Sequence, residues 1–579
     1  MSRPLLIALL CISAVLSPPA LAAPPTFTQW SNPDAQAQGA SGSQTSRRLP
    51  LWWDVTMDGL PDLLFVGIEG VERLDVDQDG QMSLQPVALS DGARETLFEP
   101  DQQAGVDTKD LVFAVLDVEG DGIDELLVVG RTTALWRLTG PSEVDKSPVP
   151  LPALRTRGIN DAAVGDLNRD GRPDVYLAIG TAYPERLNLR GQPDVMLMNR
   201  GDGRFEAIEV TPARHAVTNG ITLADIDGDG WLDAVESVDA STAAGPSRLL
   251  FNRTEAGDGV PHFVASEHRW DPGTDGMGAA LGDLDQDGVL DLYNTSIGLD
   301  LLAYGQGQGR FADETTARGI IHEWSSLGPR IQWSPSFADL NLDGRLDIVV
   351  RHGVTEALSS SAAIYSWASD LIYTQGADGR FSRVSVPSEG DTGGGRNFAL
   401  GDVDFDGRPD LARDGEVDET LLWHNTTNLA EETPRLSLHL GGAVSGSPST
   451  GAWVEGQCGD ISLIRHLTSG GKMGTNRANA LFFAWPGCDD ASLTLRVHWP
   501  SGALSETSVA SSLRSTRIEE PRWSELKDDG SLLLDPSEAG ADQACVKDAA
   551  GIWTCCDAQC VIEASAPRPV SVKLDEQVE

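Results

Sequence analysis

Apolar residues along this chain come in short runs. Residues 173–180 (PDVYLAIG), 290–298 (LDLYNTSIG) and 346–353 (LDIVVRHG) are rich in β-branched and aromatic residues and end at glycine, which predicts strands. A second kind of run is smaller and just as apolar: AAVGD at 162–166, AALGD at 279–283 and NFALGD at 397–402. These read as close-packed strands. A short acidic stretch separates each small run from the longer one, so each acidic stretch joins two strands of a hairpin.

The acidic stretch is a repeat. D-x-[D/N/E/T]-x-D-G-x-x-[D/E] starts at Asp54, Asp117, Asp166, Asp225, Asp283, Asp339 and Asp402, at intervals of 49 to 63 residues. Self-similarity at such a period marks a repeat architecture. Position 3 is Thr56, Glu119, Asn168, Asp227, Asp285, Asn341 and Asp404. Position 5 is Asp58, Asp121, Asp170, Asp229, Asp287, Asp343 and Asp406. Position 9 is Asp62, Glu125, Asp174, Asp233, Asp291, Asp347 and Asp410. Oxygen-only side chains at positions 1, 3, 5 and 9 suit a hard cation, and calcium tolerates an irregular cage of six to eight oxygens better than magnesium does. The glycine at position 6 permits a sharp turn at positive φ. An EF-hand would need helical flanks and a glutamate at position 12. Position 12 here is Phe65, Val128, Leu177, Glu236, Asn294, Val350 and Arg413, so one loop of seven complies.

An eighth acidic run, 75–83, has Ser83 at position 9. It aligns better with NRGDGRFEAI from Asn199, GQGQGRFADE from Gly305 and QGADGRFSRV from Gln375, which read as turns between later strands.

These repeats resemble FG-GAP/VCBS repeats, the units of integrin α-type propellers, over residues 23–428. The resemblance implies an all-β fold, a seven-bladed β-propeller, with one Ca2+ per blade held by the residues named above. Four strands and their loops fit a period of this length, and PTFTQWS from Pro25 is placed to supply the outer strand of the last blade. Past Asn428 the composition changes to alternating apolar and polar residues. Gly451-Ala452-x-Val454, Arg465, Gly470 with Met473, LFFAWPG from Leu481 and VHWPSG at 497–502 resemble the ASPIC/UnbV domain of the cartilage acidic protein family, over 433–521. That domain's usual Gly-Leu-Gly is replaced here by FAWPGC. The remainder, 522–579, is an acidic, Cys-rich tail.

Composition narrows the setting. The net charge of −44 argues against nucleic acid and anionic membranes as partners. The loop positions hold 25 of the acidic side chains, and seven divalent ions would bring −44 to about −30. Arg3, an apolar run over 5–16 and Ala20-Leu21-Ala22 predict a signal peptide over 1–22, and hence a secreted, periplasmic or surface protein without membrane insertion. Six cysteines remain after it. Cys458 and Cys488 flank one segment and are expected to pair; Cys545, Cys555, Cys556 and Cys560 suit two disulfides or a zinc site, with export favouring disulfides.

No nucleophile elbow, zincin motif or phosphate-binding loop occurs, which argues against an enzyme. The tryptophans, among them Trp52, Trp53, Trp231, Trp324, Trp333, Trp367 and Trp423, read first as wedges between blades and second as platforms for sugars. The expected function is an extracellular interaction or adhesion module with a protein or glycan ligand. The alternative is a carbohydrate-binding or carbohydrate-active protein with its site in the propeller funnel.

Overall fold

The computed structural model describes residues 24–31, 49–67, 70–77, 79–97, 111–129, 133–152, 154, 158–180, 191–239, 245–268, 270–321, 324–325, 328–329, 331–353, 370–384, 397–414, 421–429, 433–471 and 479–521, with short strands at 524–526, 532–533, 543–547 and 553–557. The signal segment with Cys11, and Trp367, Met473 and Cys560, lie outside them.

Each acidic loop joins the first two strands of a sheet, as the apolar pattern predicts. In one such sheet Ile159–Gly165, Asp174–Ile179, Val195–Asn199 and Phe205–Glu209 run antiparallel in sequence order. Seven sheets of this kind occur among the described residues. The strands after the loops are buried on both faces, which is why they read as continuous apolar runs and not as alternating ones. The last sheet contains Phe398–Gly401, Asp410–Arg413 and Leu421–Asn425, and its fourth strand is Phe27–Ser31 from the start of the chain. Phe27 lies opposite Asn425 and Ser31 opposite Leu421. The N-terminal strand thus closes the fold, as expected. The fold is an all-β propeller.

Side chains from facing sheets make the core. Ala163 and Tyr176 of one sheet pack with Ile221 and Leu250 of the next, and Trp53 packs with Val115 and Trp136. Trp52, Trp53, Trp333 and Trp423 are all buried, so the wedge reading holds for them. Trp231 is half-buried beneath the Arg169 guanidinium, 4.8 Å from its ring centroid. The run at 75–83 is a turn between the third and fourth strands of its sheet, with Asp77 accepting from the backbone N–H groups of Asp79 and Gln81. The later GRF stretches take the same place. A short helix, Asp91–Leu97, escaped the sequence reading; Ser90 caps it by accepting from the Ala93 N–H at 3.2 Å.

The C-terminal part forms two further sheets. One contains Arg435–Gly441, Ala480–Ala484 and Ser515–Glu519. The other is built on Trp453–Cys458, Ile461–His466, Ser492–His498 and Ala503–Ala510. Leu493, Leu495 and Val497 point inward and the residues between them outward, matching the alternation. Cys458 and Cys488 are joined, with Cα atoms 6.1 Å apart. The tail does not stand apart: Trp553–Asp557 pairs parallel to the strand at Ala503 and Leu504 and carries Gln543–Lys547 with it. The side chains of Cys545, Cys555 and Cys556 lie outside the described residues.

Candidate functional site

The seven loops share one backbone cage. In each, the position-6 glycine donates its N–H to the position-1 carboxylate, from Gly59 to Asp54 at 2.8 Å through Gly407 to Asp402 at 2.9 Å. In each, the position-7 N–H reaches the position-5 carboxylate, at 2.8 to 3.0 Å. The position-2 N–H reaches the position-9 carboxylate, at 2.8 to 3.1 Å. Position 6 has φ of 82° to 90°, as expected of its glycine. Position 4 was not anticipated. Met57, Gly120, Arg169, Gly228, Gln286, Leu342 and Phe405 all have φ between 55° and 77°, although five of them carry side chains that disfavour it. Tightly bonded carboxylates on either side hold the strained turn in place.

Position 9 does a second job. The other oxygen of Asp174, Asp233, Asp291, Asp347 and Asp410 accepts from a backbone N–H at the end of the third strand: Asn199, Asn252, Gly305, Gln375 and Asn425, at 2.7 to 2.9 Å. The side-chain amide there then reaches across to the preceding sheet. Asn199 donates to Val118 O, Asn252 to Leu167 O, Gln375 to Leu284 O and Asn425 to Leu340 O. These acceptors are loop position-2 carbonyls, so each amide ties two loops. The recurring Asn or Gln after the third strand (LMNR, LFNR, YTQG, WHNT) was the legible signal, and the sequence reading passed over it. Asn425→Ala should leave the buried Leu340 carbonyl without this donor, at a cost of about 1–3 kcal/mol in urea unfolding. An unchanged midpoint would show the latch to be idle.

The carboxylates converge most closely in three loops. Among the described residues, one oxygen each of Asp225, Asp227 and Asp229 lie within 4.8 Å of one another; so do those of Asp283, Asp285 and Asp291, and of Asp402, Asp404 and Asp406. Asp404 and Asp410 also gather with His424, whose Nε2 is 3.0 Å from Asp404. The other Asp404 oxygen, Oδ1, is buried and has no hydrogen-bond partner, an acceptor of the kind a hard cation takes. At Asp166 and Asp339 the position-3 residue is a carboxamide: Asn168 and Asn341 donate to Asp170 and Asp343 and accept from their N–H groups. Thr56 Oγ1 bonds Asp54 and Asp62 instead.

Burial raises the proton affinity of these groups. It pushes Asp62, Asp225 and Asp283 up to about 6, Asp166 and Asp339 to about 7, and Glu125 and Asp291 to about 8. Asp174, Asp233, Asp347, Asp402 and Asp410 rise well above the usual range for the same reason. The protein itself neutralises some of the charge. Arg253 pairs with Asp227 and Asp229, Arg172 with Asp170, Arg345 with Asp343 and Arg408 with Asp406. Asp58, Asp121 and Asp287 each accept from the position-7 N–H of their own loop, and Glu119, at position 3, is exposed.

Residues 117–177, which run from one such loop through the next, match the model of the FG-GAP-like repeat. The chain is also 27% identical to mouse cartilage acidic protein 1 over 279 residues, 44% of this chain and 42% of that one. With human cartilage acidic protein 1 the figures are 26% over 296 residues, 47% and 43%. Residues 117–177 thus match an FG-GAP-like repeat, and part of the chain is similar to the cartilage acidic proteins. The aligned stretch spans less than half the length of either relative. Among solved structures, a lectin from Agrocybe aegerita that recognises non-reducing terminal N-acetylglucosamine covers 60% of this chain and 82% of its own at 16% identity, with a TM-score of 0.41. The periplasmic gluconolactonase of Pseudomonas aeruginosa is 14% identical, covers 76% of this chain and 100% of its own, and has a TM-score of 0.37. At such scores neither likeness carries an argument.

The inner edge of the propeller is partly filled by the chain itself. Ser469–Gly470 pairs with the first strand of one sheet, Gly470 opposite Thr222 and Ser469 opposite Leu223. Gly471 donates to Ile221 O and to Asp161, and the Val164 N–H donates to Ser469 Oγ. A funnel site, the alternative raised by the sequence, would have to share the space beside these strands. Among the described residues no helix is long and apolar enough to cross a membrane.

Proposed function

We propose that this chain is an exported, calcium-stabilised propeller that serves as an extracellular interaction module, with one calcium in each of the seven loops. Ligands would be the side chains at positions 1, 3, 5 and 9, with Thr56 making the Asp54 loop the weakest. The bound ion supplies charge neutralisation; the chain supplies the hydrogen-bonded cage that holds it. The observation that carries this reading is the sevenfold recurrence of that cage around carboxylates too buried to stay comfortably charged. The 433–521 region is read as an ASPIC/UnbV domain and the mature cysteines as fully oxidised. Calcium titration by calorimetry of the dialysed protein tests the metal; absence of binding heat would end the reading.

The raised carboxyl values fix how pH should act. A carboxyl whose folded value is raised keeps its proton in the folded chain at a pH where the unfolded chain has lost it. Protonation therefore stabilises the calcium-free fold fully below about pH 4, and this contribution fades as pH rises through 6 to 8. Calcium needs the anions, so its affinity climbs over the same interval. Melting curves from about pH 5.5 to 8 should fall with pH in chelator and stay level or rise in calcium. Parallel curves would contradict the loop assignment.

A carbohydrate ligand is the second reading. It draws on a cavity of about 230 Å3 walled by Asp225, Asp227, Trp453 and His466. A glycan array with and without chelator separates it from protein binding.

A further inference from the structure

The loop face is covered. Six of the seven loops exchange a polar contact with the C-terminal region. Arg517 Nη1 donates to Gly59 O at 3.0 Å, and the Asp117 N–H to Ser447 O at 3.1 Å. Arg169 Nη2 donates to Pro500 O at 3.3 Å, and the Ile464 N–H to Gln286 Oε1 at 2.8 Å. Arg465 Nη2 donates to Gly344 O at 3.0 Å, and Arg435 Nε to Asp406 O at 2.8 Å. The seventh loop, at Asp225, instead lines a cavity together with Trp453 and His466. Apolar contact joins the polar ones: Phe482 and Ala480 pack with Leu340 and Leu400.

These contacts use loop positions 1, 4, 5 and 6, mostly through main chain. Of these, positions 5 and 6 have their N–H groups held by the position-1 carboxylate, as at Gly59, Gly344 and Asp406. Two glycines show how close the fit is. A Cβ on Gly470 would lie 1.9 Å from Ile221 O, and one on Gly451 would lie 2.8 Å from Leu232 Cδ2. Arg465 is buried and divides its guanidinium among Gly344 O, Phe482 O and Ile464 O, so a shifted Gly344 carbonyl leaves a buried donor unmet.

We infer that the C-terminal region is a cap seated on the loop face, with its Ser469–Gly471 segment inserted against the inner strands, and that the cation state of the loops sets whether the cap is seated. The inference rests on the calcium reading above. Filled loops present carbonyls at fixed places to Arg435, Arg465 and Arg517. Emptied loops, with their carboxylates repelling, do not. One effect opposes this: emptied loops are more negative and attract the three arginines more strongly. That attraction is non-directional and screened by salt, whereas seating needs particular carbonyls and two intolerant glycines, so the directional contacts decide.

Hydrogen exchange of the full chain tests it. Amides at 461–471 should exchange about tenfold more slowly in calcium than in chelator, a coupling of ordinary allosteric size, while the apolar third strand of its sheet, at 195–198, changes far less. Gly470→Val should keep calcium binding by calorimetry yet leave 461–471 fast in both conditions. As a second variant, Arg465→Lys keeps the charge but loses the fork, and should narrow the calcium-dependent difference. Calcium binding with unchanged exchange at 461–471, or faster exchange in calcium, overturns the cap while leaving the metal reading intact. Failure to bind calcium overturns both.

Discussion

Chelating calcium should lower the melting temperature by more than about 10 °C, and returning calcium should restore it. A ligand bound only by the folded state adds about 2.7 kcal/mol per site at a hundredfold excess over Kd, and about five such sites account for a shift of that size in a chain of this length. Chelation also leaves clustered carboxylates facing one another in loops such as 225–233. Magnesium should rescue poorly, because it gives up its waters reluctantly. Removing a single ligand is informative only where that ligand is not also a strut. Asp229 accepts from the Trp231 N–H and pairs with Arg253, so its loss is felt with or without metal. Asp285, exposed at position 3 of its loop, is the better probe, because the Asp287 N–H that reaches it is also held by Asp283. Asp285→Ala should lower the melting point in calcium and move it little in chelator.

Asp347→Ala should be the most damaging single change, at about 2–6 kcal/mol, because it leaves two buried N–H groups without acceptors. Asp347 is fully buried and accepts from Leu340 at 3.0 Å and from Gln375 at 2.9 Å. Its loss frees the loop from the second strand and the third strand from both. Burial of the charge works against the wild-type residue, since it raises the Asp347 carboxyl well above its usual value. Asp347→Asn removes that charge but keeps one acceptor, so in chelator it should be much milder than the alanine change. Equal losses for the two variants would show that charge, and not the strut, is what Asp347 contributes. Urea unfolding of the three proteins in calcium and in chelator separates these outcomes.

The repeats were legible because two signals agree at each one. The D-x-D-x-D-G spacing marks the loop, and the switch from small to β-branched residues marks the strands on either side. The N-terminal strand was legible only by bookkeeping: the last sheet lacked a fourth strand and Phe27–Ser31 had no partner nearby. The positive φ at position 4 was not legible, since Leu342 and Phe405 give no hint of a left-handed backbone; only the flanking carboxylates impose it. Nor was the cap. Gly451, Arg465 and Gly470 stood out through a family resemblance alone, and their physical roles lie in contacts with residues more than a hundred positions away. Sequence periodicity is local and carries no information on such contacts.

The central claim is that the acidic loops are calcium sites. Its most direct test is the metal content of the purified chain after dialysis against calcium and removal of loosely held ions. The account predicts about seven calcium ions per chain, or six if the Asp54 loop is too weak to retain its own. Two or fewer would contradict it and leave the seven loops as hydrogen-bonded turns.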